Sequence, residues 1–230
     1  VEKKIIDLSE KLGVHVNPEL LALALSHRSY TFENKKQQSQ SNERLEFLGD
    51  AVLDLAIGDY LYRAFADKAE GELAKIRAAV VCEATLARRA RDLDLGSYLL
   101  LGHGEEQTGG RRRPSLLADA LEAVIGAIYL SSGFNKAASW IVELLRGEIT
   151  IAAHSQGQDY KSRLQEEVQR NLRQAPTYEV LSQKGPDHAK FFQVGVMLGN
   201  DLLGTGEGSS KKEAEQLAAR SALDRMGLIE

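Results

Sequence analysis

Four acids in this chain sit beside apolar residues that recur at helical spacing. Glu46 and Asp50 lie in residues 42–50, NERLEFLGD; Asp119 and Glu122 lie in residues 116–130, LLADALEAVIGAIYL. A carboxylate taken out of water is costly unless it is paired, protonated or bound to a metal. Asp119 and Glu122 are three positions apart, so a helix puts them on one face. On a helix over residues 43–61, Glu43, Glu46, Asp50 and Asp54 fall within roughly 80° of one another. Like charges so aligned repel, and the repulsion grows as the site dries. A cation should therefore sit among them. No His or Cys stands at ligand spacing nearby, so the ligands are all oxygen. That set favours a hard cation, Mg²⁺ or Mn²⁺, over zinc. The plain alternative is a solvated acidic face, and the apolar flanks Phe47, Leu53 and Ile57 weigh against it.

Two helices must carry these acids. The first shows an apolar stripe of Leu45, Leu48, Val52, Leu55 and Ala56; the second starts after Pro114 and Ser115, and Gly133 stops it. Around them the spacing predicts helices over 1–12, 19–25 (capped by Asn17 and Pro18), 72–92 as one long helix, and 135–146. His27, between the second and third of these regions, reads as a packed or capping residue. Residues 34–41 and 99–110 read as loops, and the second loop ends in Arg111, Arg112 and Arg113. That triplet is either a solvated charge run or a phosphate contact. Cys82 reads as a small buried core residue.

Residues 148–158 are polar and weakly periodic, which predicts a flexible linker. Beyond it come a helix over 160–172, strands over 177–184, 190–198 and 201–206, and a helix over 209–226. This is an α-β-β-β-α module of α+β type. Its last helix opens GSSKKEAEQ, so free backbone N–H groups, two serines, Lys211 and Lys212 meet at one helix start. Phosphate suits that arrangement, although an ordinary capped helix with a solvated lysine pair reads the same.

The whole-chain numbers constrain the partners. Of 230 residues, 43% are hydrophobic and 27% charged, as in soluble globular proteins. Net charge is -4 and the isoelectric point about 5.8, so any nucleic-acid contact must come from local basic patches. One cysteine permits no intrachain disulfide and suits a reducing cytosol, so a cytoplasmic location is expected. The run 116–130 is too short to span a bilayer and the N-terminal stretch lacks a signal-peptide apolar region, so no membrane partner is expected.

Taken together, NERLEFLGD (42–50), HRSY (27–30), EGELAKIRA (70–78) and SLLADALEAVIGAIYL (115–130) resemble the motifs of the bacterial ribonuclease III family, in the family's order. GPDHAKFF (185–192) and GSSKKEAEQLAA (208–219) resemble a double-stranded-RNA-binding domain. The resemblance implies an all-α endonuclease domain over 1–147, a linker over 148–158 and an α-β-β-β-α RNA-binding domain over 159–230. It implies that Glu46, Asp50, Asp119 and Glu122 bind metal, two ions per site, with Asp50 and Glu122 catalytic. Glu43 and Glu70 would belong to the wider active-site cleft. Gln165 and Gln169 would contact one minor groove, His188 the next, and Lys211 and Lys212 the phosphates between. Phe47 would pack at a homodimer interface. The implied activity is cleavage of double-stranded RNA, including ribosomal RNA precursors and other structured transcripts. Products would carry 5′-phosphate and 3′-hydroxyl ends with a short 3′ overhang. Two other readings compete. A non-cleaving RNA-binding scaffold would have no reason to keep four acids in apolar helices. A hydrolase of small phosphates would not need the second module.

Overall fold

A computed structural model describes residues 2–34, 40–156, 160–185 and 190–228. The chain divides into two compact units, Val1–Ala153 and His154–Glu230.

The first unit is helical: α1 Glu2–Leu12, α2 Pro18–Ala24, α3 Arg28–Glu33, α4 Glu43–Ala64, α5 Glu70–Val80, α6 Glu83–Asp92, α7 Leu95–Tyr98, α8 His103–Gln107, α9 Pro114–Ser132, α10 Phe134–Leu144 and all but the last turn of α11 Arg146–Gln156. At the centre is α9, with Leu117, Leu121, Val124, Ile125 and Ile128 buried. It is long and apolar enough to cross a membrane, yet α2, α4, α6 and α10 enclose it, as befits a core helix.

The packing of α4 on α9 positions the acids. The two backbones touch at Gly49 and Gly126. A Cβ on Gly49 would lie 1.7 Å from the Glu122 carbonyl oxygen, and one on Gly126 would lie 2.4 Å from that of Leu45. No side chain fits at either position without moving a helix. The acids one turn to either side are thereby drawn together.

Four expectations need correction. The helix expected over 72–92 is two helices, because Cys82 turns extended and starts α6. The Thr85 hydroxyl donates to the Ala79 carbonyl (3.3 Å), satisfying a group that the break sets free. Cys82 itself is exposed rather than part of the core. The region 99–110 is more than a loop, since α8 and a 3₁₀ turn, Gly110–Arg112, run through it and its end. Arg111 fastens it: one nitrogen donates to the carbonyls of Gly96 and Leu99 (both 2.8 Å), the others to Glu106 (both 2.6 Å). Arg113 pairs with Glu105 at 2.5 Å. Two arginines of the triplet are therefore internal ties. Finally, most of the expected linker is α11, whose Ile149, Ala152 and Ala153 join the core at helical spacing. Glu148, on the same helix, is buried against Arg88 and Arg89.

The second unit contains α12 Tyr160–Leu172, β1 Thr177–Lys184, β2 Phe191–Leu198, β3 Asp201–Gly208 and α13 Lys211–Arg225. The sheet is antiparallel in the order β1-β2-β3. Val194 and Val196 of β2 face Leu164, Val168, Ala214, Ala218, Ala222 and Leu223 of the helices. Gly204, Gly206 and Gly208 alternate along β3, and a Cβ on Gly206 would lie 2.2 Å from the Ala218 nitrogen. So α13 rests directly on the strand backbone. That contact explains why β3 runs to Gly208, two residues beyond the expected end, where it pairs with Phe192.

Candidate functional site

Glu46 of α4 and Asp119 and Glu122 of α9 can each present an oxygen so that all three lie within 4.8 Å of one another. All three side chains are half-buried. Glu122 is pushed up to about 8, first by burial and then by the charges of Asp50, Asp119, Glu46 and Asp54. Glu46 is raised by burial and then by Asp119; Asp119 is raised by burial and then by Glu83. Asp50 is exposed and stands outside the three-oxygen group, but among charges it acts most strongly on Glu122.

Glu83 carries no signal in the sequence. It opens α6, outside both acidic helices, and only the packing of α6 on α9 brings its charge to Asp119. His27 caps α3, its Nδ1 accepting from the Ser29 N–H at 3.2 Å, and burial lowers its pKa. Glu43 is exposed on the rim. It accepts from the Ser41 hydroxyl at 2.6 Å and faces Arg28 at 3.9 Å.

Three carboxylates in one small group oppose one another's ionisation, and burial adds to that opposition at Glu122. Oxygen-only donors and surplus negative charge fit a hard divalent cation.

Glu70 does not join this cluster. It opens α5 and lines a cleft of about 190 Å³ with Gly58, Leu61, Tyr62, Leu73, Ala74 and Arg77. Gly58 lies about 18 Å beyond Glu46 along α4 by the helix rise. Phe47 is 80% exposed, and so is much of Leu55 (60%) and Tyr62 (75%). Leu55, expected on the buried stripe, instead shares an outward stripe with Phe47.

In the second unit Gln165 and Gln169 are exposed one turn apart on α12, whose Leu164 and Val168 are buried. Lys211 and Lys212 open α13. Ser210 caps it, accepting the Glu213 N–H at 3.2 Å, while Glu213 accepts from the N–H and hydroxyl of Ser209 (2.8 and 2.6 Å). Those Ser209 bonds hold the Glu213 carboxyl below the usual range. The Lys211 ammonium lies 5.9 Å from the Phe192 ring centre, whereas Lys212 lines a cleft with Tyr160, Gln216 and Arg220. His188 lies outside the described residues.

A helical unit with acids gathered at a helix crossing, followed by an α-β-β-β-α module with a basic helix start, defines the class of two-domain nucleases directed at double-stranded RNA. The profile described as Ribonuclease-III-like matches residues 17–149, and the double-stranded RNA binding motif matches residues 160–226. Ribonuclease 3 of Pelotomaculum thermopropionicum is 48% identical over 229 residues, covering 99% of this chain and 95% of the relative. That of Syntrophomonas wolfei is 51% identical over 216 residues, covering 94% and 92%. A solved nuclease domain of ribonuclease III from Campylobacter jejuni, described for flexibility in its dimer-forming region, is 46% identical with a TM-score of 0.58; the match covers 63% of this chain and 97% of that one. The chain belongs to the ribonuclease III family, the endoribonucleases of double-stranded RNA. The fold class and family expected from the motifs are thus borne out.

Proposed function

We propose that this chain hydrolyses phosphodiesters in both strands of an RNA duplex with the help of divalent metal, leaving 5′-phosphate and 3′-hydroxyl ends and a short 3′ overhang. The observation that carries this reading is the meeting of Glu46, Asp119 and Glu122, with a proton forced onto Glu122 near neutral pH. Those three and Asp50 would hold Mg²⁺, or Mn²⁺ in its place, two ions per site. Bound there, such ions activate a water and stabilise the leaving 3′ oxygen of an in-line displacement. Glu122 would have to release its proton for a divalent ion to bind, so proton and metal would compete at this carboxylate near neutral pH. Asp50, exposed beside it, faces the solvent from which water and substrate come.

Gln165 and Gln169 project together from α12 and would hydrogen-bond in a minor groove. Lys211 and Lys212, with the capped start of α13, would hold phosphates across the adjoining major groove, and His188 would enter the next minor groove. The substrates in this reading are ribosomal RNA precursors and other structured transcripts, in the cytoplasm.

The working unit is a homodimer. Phe47, Leu55 and Tyr62 lie within roughly 80° of one another along α4, a stripe that water would otherwise cover. Two such stripes pack antiparallel about a twofold axis near Leu55. Phe47 of one copy then meets the Tyr62 region of the other. The Glu70 cleft of that copy moves towards the first copy's acid cluster, where Glu43 already stands on the rim.

The test is cleavage of a long RNA duplex, with and without Mg²⁺, by the wild type and by Glu122→Gln. Metal-dependent cleavage that the substitution abolishes, with RNA binding retained, supports the acid cluster as the catalytic metal site. Binding without cleavage by the wild type under any divalent ion turns the reading to the scaffold.

A further inference from the structure

We propose that Arg28 is a phosphate-binding residue of the nuclease site, held loosely by Glu43 until RNA arrives; this rests on the endonuclease reading above.

Arg28 is the first residue of α3, and the chain around it is firmly anchored. The Asn42 N–H donates to the Ser26 carbonyl at 2.9 Å, which fastens residue 26 to the residue preceding α4. The His27 N–H donates to the Leu100 carbonyl at 3.1 Å. The Ser29 hydroxyl accepts the Gly102 N–H at 2.8 Å. The backbone of Arg28 is therefore fixed between the start of α4 and the segment leading to α8. Its side chain is not fixed in the same way. It is 74% exposed, and its ion pair is with Glu43 at 3.9 Å, a carboxylate itself 55% exposed. A pair so open contributes little, about 0–1 kcal/mol in proteins generally.

The position matters because Glu43 is one turn before Glu46. The pair with Glu43 sets the Arg28 guanidinium beside the turn of α4 that carries Glu46, a member of the acid cluster. Arg28 is thus a cation on the rim of an acid cluster that would otherwise repel a phosphodiester. Two arginines of the 111–113 triplet are occupied, Arg111 with Glu106 and two carbonyls and Arg113 with Glu105. A guanidinium presents a planar fork that matches two phosphate oxygens, and exchanging a long carboxylate contact for a bidentate one is favourable. The fixed backbone and loosely paired head suit a residue that swings onto the strand entering the site.

The experiment uses the full chain with Arg28→Gln and Arg28→Lys, measuring steady-state cleavage of a long RNA duplex in Mg²⁺ over a range of salt. Thermal melting confirms that each variant is folded. Arg28→Gln is expected to raise KM about tenfold, the effect of losing one charged hydrogen-bonded contact. The salt dependence of kcat/KM should become shallower by about one phosphate. Arg28→Lys should restore the salt slope but only part of KM, because it keeps the charge and loses the fork. An active wild type with an unchanged KM and salt slope in Arg28→Gln overturns the proposal. So does a loss confined to kcat. A wild type that does not cleave at all overturns the endonuclease reading instead.

Discussion

At the scale of residues, the acid cluster stores its own instability. The folded Glu122 carboxyl titrates near 8, against an ordinary value of 4.5, because burial and four neighbouring carboxylates oppose its charge. Between those two values the folded chain keeps a proton that the unfolded chain has lost. Stability must then fall as pH rises through that window and level off above it. Glu46 and Asp119, raised in the same direction, add to the trend. In chelator, the wild type should lose melting temperature relative to Glu122→Gln between pH 5 and pH 9, and a divalent ion should restore it. Parallel melting curves for the two proteins across that range would contradict the shift. Glu46, Asp119 and Glu122 were legible in sequence because apolar helices make an acid conspicuous. Glu83 was not, since it lies in a polar helix start and acts through packing. The ties of Arg111 and Arg113 were also hidden, because carbonyl partners leave no mark on composition.

At the scale of elements, the crossing of α4 and α9 does the positioning. Gly126→Ala would put a methyl 2.4 Å from the Leu45 carbonyl oxygen, so one helix must move. We expect a loss of about 3 kcal/mol, the upper part of the usual range for overpacking. Because the displaced turn carries Glu46, divalent affinity should fall with it. Melting and a Mn²⁺ titration of the same variant check both effects; a full loss of stability with unaltered metal binding would separate the crossing from the site. Helices and strands with strong periodicity were legible, as were the Asn17 cap and the α-β-β-β-α order. The break at Cys82 was not, because an apolar pattern continues across it and Thr85 repairs it from the side. The continuation of helix through most of the expected linker was missed for the opposite reason. Ile149, Ala152 and Ala153 supply a short apolar edge within a polar stretch, and only the rest of the core gives that edge something to pack on.

At the scale of the whole molecule, an acidic chain must hold a polyanion. In the proposed reading the start of α13 is one place to do so, and replacing Lys211 and Lys212 with Ala should weaken duplex binding and reduce the salt slope by about two contacts while leaving metal affinity intact. An unchanged slope would remove the pair from the interface. The proposed function adds a second requirement, two acid sites acting on one duplex, which in that reading depends on association through α4. Phe47 exposes most of its ring in the single chain, and a twofold interface counts every contact twice. If each ring is an anchor of about 2 kcal/mol, Phe47→Ala costs the dimer about 4 kcal/mol, or roughly a thousandfold in Kd. Sedimentation should then show monomer at concentrations where the wild type is paired. The acid cluster of the monomer keeps Glu46, Asp119 and Glu122, since all three come from one chain. In the proposed dimer, what it would lack is the second copy's Glu70 and the second cluster. Cleavage by Phe47→Ala should therefore be weak when dilute and recover as protein concentration passes the new Kd. A dimer as tight as the wild type would reject the role of Phe47. Full activity from a demonstrated monomer would show instead that one chain completes the site alone.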